Sequence, residues 1–273
     1  MSSYSDWLIV SDIDGTLNDK RMQLPPQNKE SISRFVNNGG VFTLCSGRNL
    51  ESLMVHYRKL NINTPAIFLN GAGIYDFKSD KVLFYDPITP EGESIIKKIY
   101  SSNFGLQLTV FSADKIYLTG RRCLYGLAIS VLDKLTYERC KGTTSLPQGN
   151  WGKVSLCGLP SKLKKIHKVI KEEYSELLDC FFTSRFTLEI VRCGVNKGEA
   201  VLKLTNILGV DSSNVGAIGD YYNDLSMLKV VSHPACCGQS PEDIKSICEY
   251  ITCHCDDGAV DDFIKYIENN FIL

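Results

Sequence analysis

The sequence predicts an α/β protein with a Rossmann-like, parallel-sheet core into which an α+β domain is inserted. Two observations predict this class. Short apolar strands alternate with helical segments near both ends of the 273-residue chain, which is typical of a parallel sheet with helices on both faces. In the middle of the chain, a helix is followed by alternating strands, which is typical of an antiparallel sheet with its own helices.

The N-terminal part supplies three strands and two helices. The segments "WLIVSD", "GVFTLCSG" and "PAIFLNG" are apolar enough to be buried strands. The intervening "PPQNKESISRFVNNGG" is a helix, because Ile32, Phe35 and Val36 fall on one face and Gly39 and Gly40 mark its end. In "NLESLMVHYRKL", apolar residues again recur at helical spacing. This order predicts successive βα units of a parallel sheet.

The middle of the chain differs in pattern. A helix ("PEGESIIKKIYSSN") precedes alternating strands ("LQLTVFSADKIYLTG"), and the amphipathic helix "SKLKKIHKVIKEEYSELL" lies between the strands "KVSLCGL" and "FTLEIV". The βα order then returns with "KGEAVLKLTNILG", "VGAIGD", "NDLSMLKVV", "YITCH" and a closing helix through Phe263 and Ile267. We therefore predict a core of residues 1–85 and 192–273, interrupted by an α+β domain of residues 86–191.

Composition excludes several classes of protein. The formal net charge of −1 argues against a general nucleic-acid or membrane-surface partner. No apolar run approaches the length of a membrane span, and the start "MSSYSDWLIV" lacks the pattern of a secretory signal. The 11 cysteines are scattered without a CxxC pair, which favours reduced thiols. We expect a cytoplasmic protein, monomeric or weakly dimeric, whose partner is a small molecule.

Polar groups follow several of the predicted strands. They are Asp12 and Asp14, the segment "SGR" at residues 46–48, the segment "NGA" at residues 70–72, and Asp220 with Asn223 and Asp224. Because ligands bind at the carboxyl ends of parallel strands, these groups are expected at one rim of the sheet. Carboxylates gathered there repel one another unless a cation is present. Oxygen ligands without histidine or cysteine favour Mg²⁺.

Lys197 and Ser46 complete the set of groups. Lys197, just before the helix "KGEAV", offers a second positive charge, and Ser46 and helix N-termini offer hydrogen-bond donors to an anion. Carboxylates, a divalent cation, a lysine and oxyanion donors are what phosphoryl transfer requires. Each short motif alone also fits a turn or a helix cap. Their order at successive strand ends favours a common site.

Two other metal sites are considered and set aside. The glycine of "DIDG" falls at loop position 4 rather than 6, which excludes an EF-hand. Zinc at "CHC", residues 253–255, is disfavoured because adjacent strand residues point to opposite faces.

In order, these segments resemble the haloacid dehalogenase (HAD) superfamily of phosphatases, specifically its Cof-type branch with a large α+β cap (C2, type IIB). The segments "DIDGTL", "CSGR", "NKGEAV" and "GDYYND" resemble its first to fourth motifs. The segments "NGA" and "YITCHCDDGAV" also resemble family segments. The insertion between the second and third motifs is where that branch carries its cap, which selects the substrate.

The resemblance implies a Mg²⁺-dependent phosphatase of small phosphomonoesters, sugar phosphates first, that forms an aspartyl-phosphate. Asp12 would be the nucleophile, and Asp14 the general acid and then the base. Lys197 would neutralise the phosphoryl group. Asp12, the backbone carbonyl of Asp14, and Asp220 would hold Mg²⁺, with Asp224 in support. A dehalogenase would not need Asp14, so its presence favours phosphate chemistry.

The resemblance also implies substrate contacts. Ser46 would hold the phosphoryl oxygens, and Arg48 and Asn70 would lie near the substrate. The candidate phosphate- and substrate-binding residues are Ser46, Gly47, Arg48, Asn70, Gly71 and Asn223. The chain departs from the family at Gly238-Gln239-Ser240, where family tails commonly read "GNA". The departure concerns a contact at the rim of the site and not the nucleophile.

Two alternative functions stay open at this point. A phosphosugar mutase of the same superfamily would use the same fold and motifs, but would produce an isomeric phosphate rather than free phosphate. A non-catalytic, phosphate-binding regulatory protein would retain the site without turnover. The full set of motifs argues against the second alternative.

Overall fold

A computed structural model describes residues 3–60, 62–120 and 136–272 of the chain, so that Cys123 lies outside the described residues. The chain forms two compact units. The first comprises Met1–Gly47, Leu53–Leu83 and Asn196–Leu273, and the second comprises Arg48–Ser52 and Phe84–Val195. The first unit is therefore built from both ends of the sequence.

Regular structure occupies most of the described residues. In chain order, the strands are β1 (Leu8–Ser11), β2 (Val41–Leu44), β3 (Ala66–Phe68), β4 (Gly73–Asp76), β5 (Lys81–Tyr85), β6 (Gln107–Phe111), β7 (Ile116–Gly120), β8 (Glu138–Arg139), β9 (Lys153–Cys157), β10 (Leu178–Ser184), β11 (Thr187–Arg192), β12 (Val215–Gly219), β13 (His233–Cys236) and β14 (Tyr250–Ile251). The α-helices are α1 (Pro26–Asn37), α2 (Leu50–Lys59), α3 (Pro90–Ser101), α4 (Pro160–Glu173), α5 (Lys197–Leu208), α6 (Leu225–Val230), α7 (Glu242–Lys245) and α8 (Ala259–Phe271). By the criteria of length and hydropathy, none of these helices could cross a membrane.

The main sheet of the first unit is parallel throughout. Its strand order is β14-β13-β12-β1-β2, and every neighbouring pair runs parallel. Leu8, Ile9 and Val10 of β1 are completely buried, as expected for a strand covered on both faces. Helix α1 packs against α8, and α5 packs against α6. The predicted parallel α/β core is confirmed.

The third predicted strand lies outside this parallel sheet, contrary to the prediction. Strand β3 forms an antiparallel pair with β4 in a separate three-stranded sheet, and only an isolated parallel bridge between Cys45 and Ile67 continues the pattern of the core. Strands β4, β5, β8 and β13 were not predicted. Lys81, Val82 and Leu83 of β5 are exposed, and Pro234 in β13 is a residue that strands usually exclude.

The second unit has a six-stranded sheet in the order β10-β11-β9-β6-β7-β8. All neighbouring strands are antiparallel except the short pair β7 and β8. Helices α3 and α4 bury Ile96 and Leu163 with Val154 and Leu156 of β9 in one apolar core. Because side chains alternate along a strand, Lys153 of β9 lies on the opposite face of the sheet. The predicted α+β architecture of the inserted segment is confirmed.

Candidate active site

The ends of three neighbouring strands bring the first candidate residues together. Strand β1 lies between β2 and β12, and Ser11 is in register with both Leu44 and Ile218. The N–H of Asp12 donates to the Ile218 carbonyl, at 3.0 Å, and the N–H of Cys45 donates to the Ser11 carbonyl, at 2.9 Å. The residues that follow these strands therefore lie at one edge of the sheet, where open α/β proteins bind ligands.

Lys197 is buried between two carboxylates. Its Nζ lies 2.5 Å from Asp12 Oδ1 and 2.5 Å from Asp224 Oδ1, and its side chain has 0% exposure. Asn196 caps helix α5, because its side chain accepts the Glu199 N–H at 3.0 Å. A positive charge in the first turn of a helix opposes the helix dipole. The two carboxylates offset this cost.

Asp224 and Asp220 are held by the turn that follows β12. Asp224 is fully buried, and its Oδ2 accepts the N–H groups of Asp220, at 2.9 Å, and Tyr221, at 3.1 Å. Asp220 Oδ1 accepts the Thr16 hydroxyl at 3.3 Å. Carboxylate oxygens of Asp12, Asp220 and Asp224 all lie within 4.8 Å of one another.

This buried cluster carries excess negative charge. Burial raises the pKa of Asp12 to about 7, an increase that Lys197 opposes and that Asp224 and Asp14 enlarge. The pKa of Asp220 rises to about 8, first through burial and then through Asp12 and Asp224. Burial alone would lower the pKa of Lys197, but Asp12 and Asp224 hold it well above its ordinary value. When all three carboxyl groups are ionised, three carboxylates against one ammonium leave two negative charges to balance.

The donor set fits a hard divalent cation. The crowded oxygens belong to carboxylates, which Mg²⁺ prefers over nitrogen and sulfur ligands. Asp224 already uses one oxygen on Lys197 and the other on two backbone N–H groups. Asp12 and Asp220 are therefore the side chains best suited to bind the ion directly.

Two glycines permit close approaches in this region. Gly15 has a φ of +85°, and a Cβ there would lie 2.5 Å from Asp220 Oδ2. Gly71 has a φ of +100°, and a Cβ there would lie 2.2 Å from the Asn196 carbonyl oxygen. Any side chain at either position would be strained and would clash. Gly15 thus brings the turn after Asp12 against Asp220, and Gly71 brings its loop against the start of α5.

The predicted phosphate-binding segments also meet. Ser46 and Asn70 are buried, and the Asn70 N–H donates to the Ser46 carbonyl at 3.0 Å. Gly47 lies so close to Asn70 that a Cβ at Gly47 would be 2.8 Å from Asn70 Oδ1. Through Gly71, the same loop reaches the residue before Lys197. The segments 46–47 and 70–71 are therefore adjacent.

Three predicted site residues lie outside the buried cluster. Asp14 is exposed and its backbone forms a bridge with Asn18. Arg48 belongs to the second unit, where its Nη1 donates to Ser52 Oγ at 2.6 Å. Asn223 is half-buried in the turn before Asp224. The roles assigned to these three residues stay predictions.

Sequence reasoning missed two contacts of the turn that carries the aspartates. Thr16 donates to Asp220, and the Gln239 Nε2 donates to the Gly15 carbonyl at 2.6 Å. Gln239 is the middle residue of the departure from "GNA". The departure marked this position as unusual, but only the structure shows what the side chain contacts.

A second cluster that could bind a metal is explained by local structure. One ligand atom each from His254, Cys255 and Asp256 lies within 4.8 Å of the others. However, His254 Nδ1 already accepts the Asp256 N–H, at 3.0 Å, as a cap of the short helix Cys255–Asp257. Residues 253–255 are not in a strand, so the alternation of strand side chains does not apply to them, and zinc at "CHC" is instead disfavoured because the cap uses His254 Nδ1.

Comparisons with known proteins identify the class to which this fold and site belong. The profile of the haloacid dehalogenase-like hydrolases matches residues 9–264, and the chain belongs to this family. It is 24% identical to the pyridoxal phosphate phosphatase of Escherichia coli K12, with 97% of this chain and 98% of that protein aligned. The family match, together with the names of this and other curated relatives, confirms the predicted enzyme class, a phosphatase of the HAD hydrolases.

Solved structures agree with the fold. A haloacid dehalogenase-like hydrolase from Bacteroides thetaiotaomicron has a TM-score of 0.87 at 24% identity, over 96% of this chain and 99% of that one. The HAD subclass IIB sugar phosphatase BT4131 has a TM-score of 0.84 at 16% identity, over 96% and 98%. The predicted fold, an α/β core with an inserted α+β domain, is confirmed.

Proposed function

We propose that the protein hydrolyses small phosphomonoesters, with Mg²⁺, through an aspartyl-phosphate on Asp12. The observation that carries the proposal is the buried ion cluster in which Lys197 contacts both Asp12 and Asp224, with Asp220 beside them. Burying several like charges costs free energy, so a protein that retains such a cluster is expected to use it in its function. Perturbed carboxylates of this kind are typical of catalytic sites.

Asp12 is the nucleophile. Lys197 holds its Oδ1, which supports Oδ2 as the proposed attacking atom. The new bond between Asp12 and phosphorus forms as the ester P–O bond breaks. The Lys197 ammonium stabilises the negative charge that gathers on the phosphoryl oxygens.

Asp14 moves the proton in both steps. It donates a proton to the leaving alcohol and, as a carboxylate, later accepts one from the water that attacks phosphorus. That attack breaks the bond to Asp12 and releases phosphate. Its exposed position next to the buried cluster supports this role, because the acid must reach an oxygen that belongs to the substrate.

Asp12, Asp220 and the backbone carbonyl of Asp14 would hold Mg²⁺. When bound, the ion supplies charge neutralisation for the phosphoryl group and for the carboxylates. Asp224 orients Lys197 and the Asp220 backbone through its hydrogen bonds. Ser46, Gly47, Asn70 and Gly71 supply hydrogen bonds and space for the phosphoryl oxygens.

The second unit, predicted as residues 86–191, is proposed to select the substrate. Sugar phosphates are our first candidates, and the name of the Escherichia coli relative adds phosphorylated pyridines to the compounds worth testing. Every functional group assigned to the chemistry lies outside residues 86–191. The proposal therefore assigns catalysis and substrate selection to different parts of the sequence.

The test is phosphate release from a panel of sugar, pyridoxal and aryl phosphates, with and without Mg²⁺. We expect release with Mg²⁺ and its loss with a chelator. Release of an isomeric phosphate instead of free phosphate would indicate the mutase. Absence of turnover on every compound, with phosphate binding retained, would indicate the regulatory protein.

A further inference from the structure

We infer that Gln239 is a positioning residue, which fixes the turn carrying the two aspartates against Asp220. The inference rests on the proposed function, because it concerns the same site. Residues 237–240, between β13 and α7, form a loop that is here named the Gln239 loop. This loop is the segment where the sequence departs from its family.

Both polar atoms of the Gln239 side-chain amide form hydrogen bonds. Its Nε2 donates to the Gly15 carbonyl at 2.6 Å, and its Oε1 accepts the Cys255 N–H at 3.1 Å. The amide thus joins the turn after Asp12 to the short helix at Cys255. Because both contacts have the correct polarity, only an amide of this length satisfies them together.

The Gln239 loop contacts the turn at a second point. The Cys237 thiol donates to the Thr16 hydroxyl at 3.8 Å, and Thr16 in turn donates to Asp220 at 3.3 Å. The loop itself is fixed to the core, because the Cys237 N–H donates to the Gly219 carbonyl at 3.2 Å. Two neighbouring turn residues, Gly15 and Thr16, are therefore held by one anchored loop.

The turn at Gly15 and Thr16 packs closely against Asp220. Gly15 touches the Asp220 carboxylate so closely that a side chain at Gly15 cannot fit. The carbonyl of Asp14, one of the proposed Mg²⁺ ligands, belongs to the peptide unit that joins Asp14 to Gly15. If Gln239 releases Gly15, this carbonyl and Asp220 lose their fixed separation. Partners of ligand groups commonly contribute 10- to 100-fold to metal affinity or activity.

The experiment compares Gln239→Met, which keeps the length and loses both hydrogen bonds, with Gln239→Glu. At neutral pH, the carboxylate of Gln239→Glu accepts the Cys255 N–H but cannot donate to Gly15. Gln23→Met, at an exposed position, is the matched control. For each protein we measure kcat and KM on an aryl phosphate, the Mg²⁺ dissociation constant by calorimetry, and the melting temperature without Mg²⁺.

We expect Gln239→Met to lower kcat by about 10- to 100-fold and to weaken Mg²⁺ binding about tenfold, with KM unchanged. Gln239→Glu should lose as much in kcat, because the Gly15 contact is the one that matters. Wild-type kcat in Gln239→Glu, or a lowered melting temperature with unchanged kcat and Mg²⁺ affinity, would overturn the inference. If the wild-type protein releases no phosphate, the proposed function fails, and calorimetry alone decides the role of Gln239.

Discussion

Two lysines are buried in the described part of the chain, and the charges around them differ. Lys197 of the first unit contacts Asp12 and Asp224 and lies in a cluster that includes Asp220. Lys153 of the second unit contacts Glu189 at 2.7 Å, and its Nζ lies 4.7 Å from the centre of the Phe111 ring. Among the described contacts, the first cluster has an excess of carboxylates, whereas the second joins one lysine to one glutamate.

This difference in charge distinguishes the candidate site at Lys197 from the ion pair at Lys153. A buried pair of opposite charges often contributes little net stability. A buried lysine among three carboxylates leaves negative charge that bound protons or a cation must balance, and burial together with that charge raises the pKa of Asp12 and Asp220. The comparison therefore predicts that the two lysines respond differently to substitution, and that only one cluster responds to Mg²⁺.

The largest expected effect is that of Asp12→Asn. The amide keeps the shape of the side chain but cannot attack phosphorus, so phosphate release should fall to background. Acid quenching during turnover should trap phosphorylated wild-type protein and no phosphorylated variant. Asp114→Asn, at an exposed position in the second unit, makes the same substitution as a control and should be fully active. Turnover in Asp12→Asn above the background would contradict the nucleophile assignment.

Asp14→Asn should lower kcat by about 10²–10⁴-fold, the range usual for a general acid or base. The loss should be greatest for alkyl phosphates, because an aryl leaving group needs less protonation. The measurement is kcat on one aryl and one alkyl phosphate for both proteins. Equal losses on the two substrates would show that Asp14 does not protonate the leaving group.

Lys197→Met and Lys153→Met test the comparison directly. Lys197→Met should lower kcat by about 10²–10³-fold, as for the loss of a group that stabilises transition-state charge. Lys153→Met leaves Glu189 buried without its ammonium, which should destabilise the protein by about 3–5 kcal/mol. Its kcat on an aryl phosphate, per folded molecule, should match the wild type. The readouts are kinetics and urea unfolding, and a reversed pattern would place the chemistry in the second unit.

Part of this site could be predicted from the sequence, and the reasons are physical. Parallel strands end at one edge, so residues directly after β1 and β12, such as Asp12 and Asp220, could be expected together. The contact of Gln239 with Gly15 could not, because it depends on the path of a loop 224 residues away in sequence. Strand β3 was misplaced because an apolar segment of three buried residues does not reveal the direction of its partner.

The smallest expected effect is a pH-dependent stabilisation by Mg²⁺. The ordinary carboxyl pKa of 3.8 rises to about 7 for Asp12 and to about 8 for Asp220, so between these values the folded protein binds protons that the unfolded chain has released. Without Mg²⁺, these two groups therefore make stability fall as pH rises from about 4 to about 8.

Mg²⁺ binds the carboxylates and competes with their protons, so its stabilisation should be greater at high pH. At a fixed concentration that is 100-fold above its Kd at pH 8.5, Mg²⁺ should add about 2.7 kcal/mol at that pH and clearly less near pH 5.5, where its Kd is higher. Thermal melting at matched ionic strength measures this difference, with Asp220→Asn as the variant expected to lose it. An equal gain at both pH values would mean that the ion binds elsewhere than at the buried carboxylates.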